Sequence, residues 1–380
     1  MSARAYRILP TDSTTFHPRL IGTRGALAAN SYLSVNAGAD ILKAGGNAFD
    51  AAVAMTLVEG LVNPQMHTIG GECPMLLRPA GGARVIAVNG NMAAPAKATP
   101  EAYRARGLAD VPEEGILAAG APAAFSALVT VLARWGRMSF GDVAAQAIEL
   151  ATKGFPLSEG LRNQHKYGLA ALREKFGARW PASAALYLRE GRVPEVGERM
   201  KNAALARAYD WLASVERAAA GDRRAKLAAV HDAFYKGEIA AEIARFARER
   251  DGLLEAGDLA RFETRIEEPV SLAVGDTVLY KCGFWTQGPA ELQTIALMLR
   301  HDLRALGHNS ADYCHLLVES MKLAYADREQ YYGDPAQALI PGELLLSEAY
   351  AAQRAGLIDM RRANPELRPG DARRNAALLP

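Results

Sequence analysis

The stretch that decides the fold is GGNAFDAAVA, residues 45–54, which contains the end of one helix and the start of another. A glycine pair such as that at 45–46 is typical of a helix C-terminus, and Asn47 or Asp50 can cap the helix that follows. From Ala51 to Leu61 this second helix is apolar nearly all round. Such a helix buries every face, so we expect it to lie between other layers of structure.

Strand patterns and a helical block lie further along the chain. Residues 74–78 and 84–89 read as two strands joined by a glycine-containing turn, which predicts an antiparallel hairpin. A second hairpin is predicted over 267–280, with its turn at 274–277. Residues 157–262 are rich in alanine and arginine and have helical periodicity. The pattern therefore predicts a layered α/β fold.

Composition limits the function classes. The 380 residues are 50% hydrophobic, so the chain can bury a large core. The net charge is +2 and basic residues are interspersed with acidic ones, which argues against a nucleic-acid partner. The three cysteines, Cys73, Cys282 and Cys314, have no CxxC spacing and favour neither a disulfide framework nor a zinc site. We expect no metal and no organic cofactor.

The N-terminal residues predict a cytoplasmic protein. Arg4 and Arg7 are not followed by an apolar run, so no export signal is expected. The longest weakly polar stretch, 48–62, is interrupted by Asp50 and Glu59 and is too short to cross a bilayer. We expect no role at a membrane.

Common catalytic motifs are missing from the sequence. It has no G-x-S-x-G, no G-x-x-x-x-G-K-[ST] and no H-E-x-x-H. His301, His308 and His315 recur every seven residues, but Gly307 and Asn309 break the helix that would align them. We therefore predict no metal site there.

The loop at residues 63–71 is a candidate part of a site. It ends in the glycine pair at 70–71 and lies between a buried helix and a strand, where backbone can approach a ligand closely. A tight turn is the alternative explanation of the glycines. We include Thr68 among the candidate substrate-binding residues. Cys73 has no base identifiable nearby in the sequence, so we interpret it as a buried, unreactive thiol.

Several collinear segments together resemble the γ-glutamyltranspeptidase family. They are GGNAFDAAVA at 45–54, the Asn63-Pro64 pair, IGG at 69–71, APAKATP at 94–100, LRALGHNS at 303–310 and MKLAYADR at 321–328. The resemblance extends from Gly25 to about Pro335. It implies the αββα sandwich of N-terminal-nucleophile hydrolases, made as a precursor that cuts itself before a threonine into a large and a small subunit.

In that family the threonine is the nucleophile, and its freed α-amine, which titrates near neutrality, serves as the base. This chain ends at Pro380 without the family's threonine-led strand. We therefore expect it to be the large subunit of a heterodimer, with the nucleophile on a small subunit after Pro380. No catalytic residue is assigned to this chain.

We expect residues 1–380 to form one large-subunit domain. Its predicted parts are sandwich helices and strands at 25–150, a mainly helical block at 157–262, strands and helices that return to the sandwich at 263–335, and a loose tail before the processing site at 363–380.

One departure from the family predicts a changed substrate. Members that act on γ-glutamyl compounds have a D-x-R-E-x-A-P segment whose arginine grips the substrate's α-carboxylate. Here residues 89–95 read NGNMAAP, with Asn91 at the arginine position. An amide lacks the charged bidentate fork of a guanidinium. We predict a non-glutamyl amide such as oxamate, with Asn89, Asn91 and Met92 as substrate-binding residues.

Three other functions stay open at this stage. A glutathione-cleaving γ-glutamyltransferase would need another basic residue, for which Arg104 and Arg106 are nearby candidates. A cephalosporin acylase would need apolar walls, for which Met92 and the pair at 284–285 are suitable. A structural or binding module without its own activity is the third alternative.

Overall fold

The computed structural model describes residues 20–82 and 84–379. The first half contains helices α1 (Tyr32–Lys43), α2 (Ala48–Val62), α3 (Pro100–Arg104), α4 (Ala124–Trp135), α5 (Phe140–Lys153), α6 (Glu159–Asn163), α7 (Leu169–Arg179) and α8 (Pro181–Tyr187). The second half contains α9 (Ala203–Ala218), α10 (Arg223–Lys236), α11 (Glu238–Arg248), α12 (Ala256–Ala260), α13 (Gly288–Met298), α14 (Leu303–Leu306), α15 (Ala311–Tyr331), α16 (Gly342–Leu345) and α17 (Glu348–Ala355).

The strands are short and antiparallel. They are β1 (Met75–Leu77), β2 (Ile86–Asn89), β3 (Phe155–Pro156), β4 (Arg199–Met200), β5 (Arg265–Glu267), β6 (Val270–Val274) and β7 (Thr277–Lys281). They form a three-stranded sheet in the order β1-β2-β5 and two separate pairs, β3-β4 and β6-β7. The chain therefore has the mixed, layered α/β fold that the sequence predicts.

Helix α2 occupies the buried position predicted for it. The side chain of Asn47 accepts hydrogen bonds from the backbone N–H groups of Phe49 and Asp50, and Asp50 accepts one from Asn47 in return. This capping box fixes where the helix starts. Asp50 is fully buried and also accepts the backbone N–H of Arg137 and of Met138. One carboxylate thus ties α2 to the link between α4 and α5.

The first predicted hairpin is β1-β2, and β5 joins its other side. Ala87 and Val88, which point to opposite faces of β2, are both fully buried, so both faces of this strand are covered. In the antiparallel register Asn89 lies opposite Arg265 and Ala87 lies opposite Glu267. The end of β2 and the start of β5 therefore bring residues from distant parts of the chain side by side.

The second predicted hairpin is β6-β7. Val274 pairs with Thr277 across a two-residue turn, and Gly275 in that turn has a φ of 61°. A positive φ suits glycine, which has no Cβ to clash with the backbone. Residues 157–262 are mainly helical, from α6 to α12, with β4 between them.

The C-terminal segment differs from the loose tail predicted for 363–380. Its backbone is held by buried side chains: Asp327 accepts the N–H of Gly370 at 2.8 Å, and Arg354 donates to the carbonyl oxygen of Ala377 at 2.6 Å. Ala372 is also buried. The segment has no helical or strand periodicity, but side chains of α15 and α17 satisfy its backbone instead, and composition alone does not reveal such contacts.

The sequence predicts no export signal, no membrane role and no metal site, and the structure covers these three features only in part. Residues 1–19, which carry Arg4 and Arg7, lie outside the described part of the chain. Among residues 20–82 and 84–379, no helix combines the length and the apolar character needed to cross a bilayer. The same residues contain no cluster of three or more metal-ligating side chains.

Candidate functional site

A cavity of about 590 Å³ opens where the end of β2 meets the start of β5. It is lined by Asn89, Asn91, Met92, Ala93, Ala94, Ala96, Ala121, Asp258, Arg261, Phe262, Glu263, Arg265, Trp285, Gly333 and Asp334. Three of the four predicted substrate-binding residues, Asn89, Asn91 and Met92, are among them. A concave site with a few convergent polar groups is typical of a small-molecule site.

Thr68, the fourth predicted residue, does not line this cavity. Its carbonyl oxygen accepts the N–H of Gly71, which shapes the loop after α2. The carbonyl oxygen of Gly71 accepts the N–H groups of Ala123 and Ala124 at the start of α4. Gly71 therefore braces a helix start, and neither Gly70 nor Gly71 has the positive φ that the turn alternative requires.

Partial burial of Cys73 disfavours its thiolate form. Burial raises the pKa of its thiol to about 11, because a thiolate is poorly solvated in the protein interior.

The backbone of Cys73 packs closely against Gly90. The backbone N–H of Cys73 donates to the carbonyl oxygen of Gly90 at 2.8 Å. A Cβ added at Gly90 would lie inside van der Waals contact with the Cys73 carbonyl group. This close approach fixes the backbone between Asn89 and Asn91.

Asn89 is buried, and both ends of its amide are occupied. Its nitrogen donates to Glu267 at 2.9 Å, and its oxygen accepts the backbone N–H of Asn91 at 3.2 Å. Glu267 also accepts the indole N–H of Trp285 at 2.7 Å. Glu267 therefore holds Asn89 and Trp285, two lining residues, in a fixed arrangement.

Asn91 faces a carboxylate. One end of its side-chain amide lies 2.6 and 3.1 Å from the two carboxylate oxygens of Glu72, and we assign the amide nitrogen to this end because only a donor can bond a carboxylate. The backbone N–H of Met92 donates to the same carboxylate at 3.1 Å. The surroundings of Asn91 are therefore acidic, and no cation of residues 20–82 or 84–379 is in hydrogen-bond contact with it.

Two arginines line the cavity, and each meets a carboxylate. Arg261 pairs with Asp258 at 2.9 Å, and Arg265 pairs with Asp334 at 3.1 Å. Burial favours a higher pKa for Asp334, but hydrogen bonds from the backbone N–H of Ala336 and from Arg265 outweigh it and lower the pKa below its usual value. The sequence patterns did not identify Arg265 as a site residue, because β5 lies far from β2 along the chain.

Of the residues considered for the alternative functions, some line the cavity and others lie away from it. Arg104 and Arg106 pair with Glu101 and Asp251, respectively, and do not line the cavity. Neither can supply a cation there. Trp285 lines the cavity, as an acylase wall requires.

Phe284, by contrast, is a core residue. It is buried and packs edge-on against Tyr332, with ring centroids 4.8 Å apart. The aromatic pair at 284–285 therefore splits between the core and the cavity.

A second constellation resembles a hydrolytic triad but is structural. The hydroxyl of Ser126 lies 3.0 Å from Nε2 of His231, whose Nδ1 lies 3.8 Å from Asp232. Ser126 is fully buried, and its hydroxyl also accepts a hydrogen bond from Thr264 at 2.8 Å. A substrate cannot reach this oxygen, so the group stabilises the packing of α4 on α10.

The cavity supplies binding groups rather than a nucleophile. Among the described residues that line it there is no serine, threonine, cysteine, lysine or histidine. Its amides, guanidinium groups and carboxylates can bind and orient a small polar molecule. An acyl-transfer nucleophile would have to approach from outside this set.

Comparison with known proteins gives a family match over most of the chain. The model described as gamma-glutamyltranspeptidase matches residues 34–377. The glutathione hydrolase proenzyme of Escherichia coli (strain K12) is 31% identical over 366 residues, which cover 94% of this chain and 60% of that protein. The acylase ACY 1 proenzyme of Pseudomonas sp. (strain SE83) is 31% identical over 354 residues, which cover 90% and 60%.

A solved structure agrees with the fold. The gamma-glutamyltranspeptidase of Helicobacter pylori superimposes with a TM-score of 0.83 at 25% identity, over 93% of this chain and 97% of that chain. This chain therefore spans about 60% of the length of the two curated relatives but nearly all of that structural chain.

Proposed function

The chain belongs to the γ-glutamyltranspeptidase family, and from this premise we propose that it is the larger subunit of an autoprocessed amidohydrolase acting on a small non-glutamyl amide such as oxamate. The small subunit comes from the same precursor and carries the threonine nucleophile. Water is the acceptor of the acyl group. No nucleic acid, membrane or cofactor takes part.

The two-subunit organisation is supported by the relatives and by the cavity. Both curated relatives are named proenzymes, and this chain matches about 60% of their length. The lining residues of the described chain include no hydroxyl or thiol nucleophile. A cavity that binds substrate but lacks the attacking group fits one part of a two-part enzyme.

The observation that carries the substrate proposal is the contact between Asn91 and Glu72. Family members that act on γ-glutamyl compounds have an arginine at this position. Here the residue is Asn91, whose neutral amide lies 2.6 Å from a carboxylate oxygen of Glu72. A substrate carboxylate placed there would meet like charge and no guanidinium fork. Recognition of the γ-glutamyl group in its usual manner is therefore disfavoured.

In the proposed reaction, the cavity holds the amide while the threonine hydroxyl of the small subunit attacks its carbonyl carbon. The α-amine of that threonine takes the hydroxyl proton and passes it to the leaving nitrogen, which departs as ammonia. Water then attacks the resulting ester, which releases the acid and restores the threonine. Asn89, Glu267 and Trp285 keep the binding wall rigid throughout.

A cephalosporin acylase is the second candidate, favoured by the apolar part of the wall. Met92, Phe262 and Trp285 line the cavity together, and one curated relative is an acylase. A larger acyl group would use these side chains more than oxamate does.

Turnover by the complete precursor separates these functions. Oxamate, γ-glutamyl anilide and glutaryl-cephalosporin are offered to the purified enzyme, and release of ammonia or amine is measured. A variant in which the nucleophilic threonine of the precursor is replaced by alanine is the control. We expect oxamate to be hydrolysed best, whereas preferred turnover of γ-glutamyl anilide would contradict the proposal.

The mass of the purified protein tests the processing step. Two fragments, one of them close to the present chain, are expected from the unaltered precursor. A single uncut product with full activity would overturn the two-subunit organisation.

A further inference from the structure

We propose that Arg265 binds the carboxylate of the substrate and thereby sets its specificity. The inference rests on the proposed function, which it deepens by naming the recognised chemical class: a short acid with a carboxylate next to the amide that is cleaved. The guanidinium comes from strand β5 rather than from the loop after β2, where Asn91 lies.

The strand register places Arg265 at the cavity. Arg265 lies directly opposite Asn89 in the antiparallel pairing of β2 and β5. Its side chain is 47% exposed and forms part of the cavity lining. An incoming small molecule can therefore reach the guanidinium without displacing any element of the fold.

Arg265 retains unused hydrogen-bond donors. Its Nη2 donates to Asp334 at 3.1 Å, and its Nε lies 3.5 Å from an oxygen of Glu267. Within the described part of the chain, Nη1 has no hydrogen-bond partner. A guanidinium offers five N–H donors in a planar fork that matches the geometry of a carboxylate. Nη1 of Arg265 can therefore donate to a further carboxylate, in addition to the contacts of this guanidinium with Asp334 and Glu267.

The nearby carboxylates are already partnered. Asp258 accepts the backbone N–H of Ala96 at 3.0 Å and pairs with Arg261 at 2.9 Å. Asp334 accepts a backbone N–H at 2.9 Å in addition to its bond from Arg265. These bonds hold the carboxylates in place and partly neutralise their charge, so they need no further cation to be stable.

The other acidic side chains disfavour binding of an anion elsewhere in the cavity. Glu72 faces Asn91 and Met92, and Glu263 interacts electrostatically with Lys236. Their charges oppose an anion elsewhere in the cavity. In the described part of the chain Arg261, like Arg265, has N–H donors without a hydrogen-bond partner. The choice of Arg265 rests on its position, opposite Asn89 in the strand register and beside Glu267.

The Glu267 carboxylate keeps this site in shape. It accepts from Asn89 and from the indole N–H of Trp285, and it also lies beside Nε of Arg265. The guanidinium therefore meets the substrate in a preset orientation, with the Trp285 ring as an adjacent wall of the cavity. Preset donors lose less entropy when the ligand binds.

The kinetic test compares oxamate with oxamide, which replaces the carboxylate by a neutral amide of the same shape. In the processed enzyme, Arg265→Gln is expected to raise KM for oxamate by about 10- to 100-fold, since hydrogen bonds to charged groups are the strong ones. The kcat for oxamate and the KM for oxamide should change less than about threefold. Arg265→Lys should recover part of the affinity because it restores charge without the fork.

Arg104→Gln is the matched control, because it removes an exposed guanidinium that pairs with Glu101 and does not line the cavity. It should leave KM for oxamate within about threefold of the unaltered enzyme. Equal losses for oxamate and oxamide in Arg265→Gln would overturn the inference, and so would an unchanged KM for oxamate.

Failure of the proposed function can be distinguished from failure of the anion site. If the unaltered enzyme releases no ammonia from oxamate, the hydrolase proposal is wrong, and oxamate binding is then measured by calorimetry without turnover. Binding that weakens about 10- to 100-fold in Arg265→Gln but not in Arg104→Gln would still support the anion site. No binding to the unaltered protein, or equal binding to all variants, would contradict it.

Discussion

Two arginine–carboxylate pairs have the same separation of 3.1 Å but lie in opposite environments: Arg354–Asp327 and Arg265–Asp334. The side chains of the first pair are 1% and 2% exposed, and those of the second are 47% and 45% exposed. Distance alone therefore does not reveal what a pair does. Burial and the number of donors left over decide whether it holds the fold together or binds a ligand.

The buried pair is nearly saturated. Asp327 accepts from Gly370, from Tyr350 at 3.0 Å and from Gln293 at 3.1 Å. Arg354 donates to two backbone carbonyl oxygens, on α15 and on the C-terminal segment. This network attaches residues 369–379 to the helices. The pair at the cavity, by contrast, has donors free.

The largest expected effect is on stability at the buried pair. Arg354→Met should lower the free energy of unfolding by about 3–5 kcal/mol, because it leaves Asp327 buried and unpaired. Arg265→Met should lower it by less than about 1 kcal/mol, since an exposed pair contributes little. Chemical denaturation followed by circular dichroism measures both. Similar losses in the two variants would show that burial does not separate the pairs.

A smaller effect is expected from adding a guanidinium at the acidic side of the cavity. Asn91→Arg places a cation beside Glu72, so turnover of γ-glutamyl anilide by the processed enzyme should rise about tenfold in kcat/KM. Asn91→Gln, which stays neutral, should show no rise, and Asn91→Lys should show a smaller one. No gain in any variant would mean that other cavity residues exclude the γ-glutamyl group.

The smallest effect is the order in which the two aspartates titrate. Burial raises the pKa of Asp327 despite Arg354, whereas the hydrogen bonds at Asp334 lower its pKa in spite of burial. Carboxyl NMR titration, with Asp327→Asn and Asp334→Asn for assignment, should place Asp327 above the reference value of 3.8 and Asp334 below it. The reverse order would contradict this account of the two environments.

The two pKa shifts change the stability of the folded state with pH in opposite directions. Asp334 contributes stability that is present above pH 3.8, its unfolded pKa, and is lost as pH falls through the lower folded pKa. Its exposure limits this contribution to less than about 1 kcal/mol. The folded state binds a proton at Asp327 more tightly than the unfolded state does, so that contribution grows as pH falls through the raised pKa.

Local features of the fold were predictable from the sequence. The cap at Asn47 and the turn at Gly275 depend on neighbouring residues, so their patterns sufficed. The C-terminal segment was predicted incorrectly as loose, because Asp327 and Arg354 hold it through side chains rather than through a periodic backbone pattern.

The candidate site was only partly predictable. Asn89, Asn91 and Met92 lie at or just after the end of one strand and were found through the family's motif. Arg265 lines the cavity, and Glu267 contacts the lining residues Asn89 and Trp285, only because β5 pairs with β2. Asn89 and Glu267 are 178 residues apart along the chain. No local pattern reports such a pairing. The role of Thr68 in binding stays a prediction.

The central claim is tested most directly by a crystal structure of the processed enzyme soaked with oxamate or its product, oxalate. The account predicts a carboxylate oxygen about 2.7–2.9 Å from a guanidinium nitrogen of Arg265, with the other end of the molecule directed to the nucleophile of the small subunit. A ligand held beside Asn91 and Glu72, with Arg265 paired only to Asp334, would contradict it.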